Sequence, residues 1–157
     1  MKTETLMPTH YIHPRWHAAL FAALGGGGFA QAAVLSTADR LSEVYVLMMV
    51  PAVLGAGAAG VLFAEFFGRC GWWGAVCALV GWVFTTLVGA CGAVLVVIAA
   101  TQLISPTVPF YLDAEAILFG PAAIVMAVGE SVHVIAIWLC WGVLTHLALR
   151  QERRAIT

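Results

Sequence analysis

Charge is what this chain has least of. Its 157 residues include seven lysines and arginines and eight aspartates and glutamates. That is 10% of the total, where soluble domains average about 25%. No polar tract is long enough to fold as a second domain. Cys70, Cys77, Cys91 and Cys140 contain no C-x-x-C pair and none stands in an expected external loop, which argues against a disulfide framework or a dithiol redox site. There is no P-loop, no zinc motif and no serine–base–acid arrangement. Met1 to Arg15 is polar and leads into no short apolar core with a small-residue cleavage site, so no signal peptide is expected.

What the chain has instead is apolar length. Hydrophobic residues make up 62%, against about 45–50% in soluble domains. They gather in long runs, the pattern of membrane spans. Four segments are read, at about Trp16 to Leu35, Val44 to Phe67, Trp72 to Ile104 and Ile117 to Leu149. A bilayer core needs ~20 helical residues. The first two segments fit closely, and the last two must tilt, protrude or include interfacial turns. Pro121 suits a first helical turn. The connections Ser36 to Glu43, Gly68 to Gly71 and Ser105 to Ala116 are short, which favours antiparallel neighbours. The expected fold is an all-α integral membrane protein, with four antiparallel transmembrane helices in an up-down bundle over residues 16–149. A cytoplasmic N-terminal segment, 1–15, precedes it and a basic cytoplasmic tail, 150–157, follows.

Four crossings put both termini and the middle connection on one side. That side carries Lys2, Arg15, Arg69, Arg150, Arg153 and Arg154, the other only Arg40, so both termini are expected in the cytoplasm. The expected location is a bacterial inner (plasma) membrane. Trp16, Trp72, Trp73, Tyr45 and Tyr111 fall near the boundaries, where amphipathic rings settle. Ser105 to Leu112, with two prolines among apolar residues, reads as an interfacial loop or a lid over the outer mouth. The tail arginines read as a topology anchor drawn to anionic lipid and not as a nucleic-acid site.

Small residues carry helix packing in lipid, where water cannot drive association. Ala52, Ala56 and Gly60 recur at fours in the second span, and Gly74, Cys77, Gly81, Thr85 and Gly92 share a face of the third. Gly25 to Gly28 interrupts the first span with residues that each cost roughly 0.5–1 kcal/mol against Ala in a helix. The run reads as tight packing against a bulky neighbour, or as an unwound point whose carbonyls face a site.

Glu130 and His133 are the ionisable residues hardest to explain by packing. On one uninterrupted helix Glu130, His133, Cys140 and Trp141 share a stripe. At membrane depth such a pair is suited to carrying a proton or holding one cation, or to pinning helices through Ser131, Thr85 or Thr86. The Glu-x-x-His spacing matches one limb of a di-metal carboxylate bundle, but the further carboxylates such a site needs are missing from the spans. Glu65 stands four residues before Arg69, a salt bridge at helical spacing or a proton entry point. His17 and His146, at the cytoplasmic ends of the first and last spans, are expected at similar depth, as two axial ligands of haem b would be. His10, His13 and His17 are spaced as a weak metal set, which Pro14 disrupts.

Three functions fit these residues. One is a proton- or cation-handling transporter or channel subunit using Glu130 and His133, with Glu65. Another is a redox-complex subunit with haem b or a quinone near His17 and His146. The last is a scaffold or accessory subunit without catalysis of its own. The partners expected are the lipid bilayer and further copies of the chain or other membrane subunits; nucleic acid is not one.

Overall fold

The computed structural model describes residues 14–36, 42–105 and 114–156. Every regular element among them is helical: α1 (Pro14–Ser36), α2 (Ser42–Phe63) with a 3-10 turn at Ala64–Phe66, α3 (Gly71–Ile104), α4 (Ala114–Glu130) and α5 (Val132–Ile156). Three stretches are long and apolar enough to cross a membrane, Met49–Phe66, Gly71–Ile104 and Val132–Arg154. The protein is therefore read as an integral membrane protein. The expected first span, α1, is long enough at 23 residues but is not one of these three. Its four glycines, with Arg15, His17 and Gln31, dilute the apolar run. Most of the loop from Ser105 to Leu112, together with Lys2, His10, His13, Arg40 and Tyr111, lies outside the described residues.

The expected segment from Ile117 to Leu149 is divided. α4 ends at Glu130, and the Ser131 carbonyl accepts the first hydrogen bonds of α5, from Val134 N at 3.1 Å and Ile135 N at 3.3 Å. Serine is a favoured residue at a helix start. α4 begins at Ala114, so Pro121 lies inside the helix instead of in its first turn. Its 17 residues reach about 25 Å at 1.5 Å per residue, short of a ~30 Å hydrocarbon core. The basic tail from Arg150 forms the last turns of α5, to Ile156. Arginine, glutamine and glutamate are good helix formers, and basic side chains suit a helix C-terminus.

Close contact between backbones sets the arrangement. α1 packs on α2 and α5, α2 also on α3, and α3 also on α4. A methyl at Gly26 would stand 2.5 Å from the Ala56 methyl, and one at Gly60 2.6 Å from that of Ala22. Numbering thus falls along α2 as it rises along α1. The second-span stripe faces α1 of its own chain, while Gly55 on the other side lies on the backbone of Gly89 and Ala93 in α3. The glycine run does not unwind α1. A methyl at Gly25 would meet the Trp82 ring at 2.9 Å, and one at Gly28 would meet Trp141 Nε1 at 3.0 Å. The bulky neighbours are two tryptophans.

Trp82, 5% exposed, stands at the centre of a core with Ala18, Ala64, Phe67, Ala78 and Leu149. Its indole Nε1 donates to the Trp138 carbonyl at 2.9 Å. The Trp138 indole donates to Thr86 Oγ1 at 2.9 Å, and the Thr86 hydroxyl donates to the Trp82 carbonyl at 2.8 Å. The circuit closes between α3 and α5, and Gly142 leaves room for the Trp82 ring.

Candidate functional sites at the two ends of α5

The C-terminal end of α5 meets the start of α1 and the turn that leaves α2. That turn is possible because Gly68 takes φ +76°, a left-handed conformation costly for other residues. A methyl there would also stand 2.8 Å from the Leu149 carbonyl. The Gly68 N–H donates to His146 Nδ1 at 3.3 Å. Arg15 and Arg153 flank the Glu65 carboxylate at 3.6 and 3.4 Å. His17 Nδ1 lies 2.8 Å from Glu152 Oε1, near enough for an ion pair when the imidazole is protonated but off the line of a hydrogen bond.

This geometry corrects the expected Glu65–Arg69 salt bridge. The helix has ended by Phe66, so Arg69 Nε donates to the Glu65 carbonyl at 2.9 Å, and the carboxylate takes partners from α1 and α5. Signals at i,i+4 spacing cannot find partners so distant in sequence. Cys70, exposed on the linker between α2 and α3, was read only as lacking a C-x-x-C partner. Hydrogen bonding to the Arg150 side chain, with a smaller contribution from Arg154, holds its thiol below the ordinary range against a desolvation effect of opposite sign.

His17 and His146 are not brought together as haem ligands would be. His17 stands against Glu152, six residues beyond His146, an offset of about 9 Å along the α5 axis. His146 Nδ1 accepts a hydrogen bond, which leaves the proton of a neutral ring on Nε2. A metal-bound histidine has the reverse arrangement, ligating through one nitrogen and donating from the other. With this hydrogen bond His146 is turned toward the Gly68 N–H and not poised as an axial ligand. No group of three or more His, Cys, Asp and Glu among the described residues could hold a metal ion.

Glu130 and His133 lie toward the other end of α5. Glu130 is the last residue of α4, and His133, the second of α5, is exposed. They share no helix, so the stripe running from Glu130 through Cys140 is interrupted at Ser131. Trp141 stands against Gly25 and Gly28. His133, eight residues earlier, is therefore about 12 Å further along, level with the C-terminal end of α1. The pair flanks the junction of α4 and α5. Glu65 is remote: its partner Arg153 lies twenty residues from His133, about 30 Å along the helix. Thr86 is engaged by Trp138, and Thr85 Oγ1, buried, has no hydrogen-bond partner among the described residues. The chain matches no known protein family, no curated protein and no solved structure.

Proposed function

We propose that the protein resides in a bacterial inner membrane, with α1, α2, α3 and α5 as an up-down four-helix bundle and both termini cytoplasmic. In this reading it handles protons or a small cation at the junction of α4 and α5. The topology is supported by the gathering of Arg15, Arg69, Arg150, Arg153 and Arg154 at one end, as an excess of basic residues on the cytoplasmic side requires.

The observation that carries the function is the interruption at Ser131. Backbone groups released by a break must find partners, and broken helices are tolerated at membrane depth where they are buried in protein or line a cavity. Transporters keep coupling-ion sites at such breaks. Glu130 is the last residue of α4, the pole where backbone carbonyls already carry negative partial charge. His133 supplies an imidazole in the first turn of α5. The test is proton and monovalent-cation flux in liposomes containing the purified protein. Flux is expected for the wild type and lost in Glu130→Gln while the fold is kept. Undiminished flux in that variant removes the reading.

A second reading, an accessory subunit without transport, is supported by the close small-residue contacts of α1 with α2 and of α2 with α3. It predicts no flux from the isolated chain, with activity appearing only in a larger assembly.

A further inference from the structure

We propose that the arginine end of the bundle binds the phosphate of an anionic phospholipid, between the C-terminal turns of α5 and the linker from α2 to α3. Five arginines meet here, Arg15, Arg69, Arg150, Arg153 and Arg154, with two carboxylates, Glu65 and Glu152. Five against two leaves three positive charges in excess among the described residues. Glu65 lies between Arg15 and Arg153, and Glu152 lies against His17.

Arg150 and Arg154 are one helical turn apart, and both reach Cys70 on the linker. Arg150 Nε is buried and meets no hydrogen-bond acceptor among the described residues. A guanidinium N–H in that state is costly, and phosphate oxygens are the acceptors its geometry suits best.

The neighbouring residues select a lipid over a free phosphate. Trp72 and Trp73 follow Cys70 and Gly71 in the first turn of α3 and are 78% and 77% exposed. Indoles settle at the headgroup level of a bilayer. Beyond them α3 continues with exposed Leu79, Val80, Val83 and Phe84, a surface that acyl chains can follow. A soluble anion would use the guanidinium groups and gain nothing from the rings. This inference rests on the end facing headgroups and is independent of Glu130 and His133.

Native mass spectrometry of the purified chain, with equal amounts of dioleoylphosphatidylglycerol and dioleoylphosphatidylcholine, tests it. The anionic lipid is expected to be retained preferentially, by roughly fivefold for each arginine engaged. Arg154→Gln, at an exposed position, should lose part of that preference, and Arg150→Gln with Arg154→Gln nearly all of it. Phosphatidylglycerol should also raise the melting temperature of the wild type more than that of Arg154→Gln. Excess inorganic phosphate at constant ionic strength should leave the lipid bound. Equal retention of the two lipids by the wild type, an unchanged preference in Arg154→Gln, or displacement by phosphate would overturn the proposal.

Discussion

The two ends of α5 are built on opposite plans. At its C-terminal end three separate segments, the start of α1, the turn after α2 and the last turns of α5, converge on Glu65, His146 and Glu152. At its N-terminal end Glu130, Ser131 and His133 are consecutive or nearly so, and the Ser131 carbonyl starts the helix. One end is held by long-range cross-links, and it is expected to be the harder to perturb. The other is a joint made locally, and it is expected to open more readily. Unequal stability of this kind is where moving parts of proteins are drawn from.

The largest effect should come from Gly68→Ala. Left-handed backbone and a methyl pressed on the Leu149 carbonyl together predict a loss of about 2–4 kcal/mol in detergent denaturation. A loss below ~0.5 kcal/mol would mean that the cross-linked end is not the stable one. The Cys70 thiol should react with iodoacetamide severalfold faster than Cys140 near neutral pH. A lowered pKa leaves more thiolate at a given pH, so Arg150→Gln should move its rate profile to higher pH. An identical profile in that variant would remove the arginines as the cause. Glu65→Gln should cost under ~1 kcal/mol and less at high salt, because the carboxylate is 56% exposed. His133→Ala, at an exposed position, should change stability by no more than ~0.5 kcal/mol. A cost as large as that of Gly68→Ala would erase the contrast between the ends.

Much of the helical content was legible in residue order. The bounds of α1 and α3 follow the apolar runs to within two residues, and α1 lies on the small-residue stripe of α2 because only those positions let backbones approach. The break at Ser131 was missed, although two cues for it were present. The apolar run is far longer than one crossing needs, and a serine precedes Val132 as a helix start often requires. Hydropathy weighed more than either cue. The partners of Glu65 were not legible at all, since Arg15 and Arg153 belong to other helices. The pairing of His146 with a backbone N–H depended on a single left-handed glycine, which composition and periodicity do not reveal.

The closed circuit of Trp82, Trp138 and Thr86 limits how this molecule can move. Sliding α3 past α5 by one turn, about 5.4 Å, would strand both indole donors at once in a region with little to replace their acceptors. Any working cycle must then carry those two helices as a single rigid piece, with displacement taken up by α1, by α2 or by a swing of α4 about Ser131.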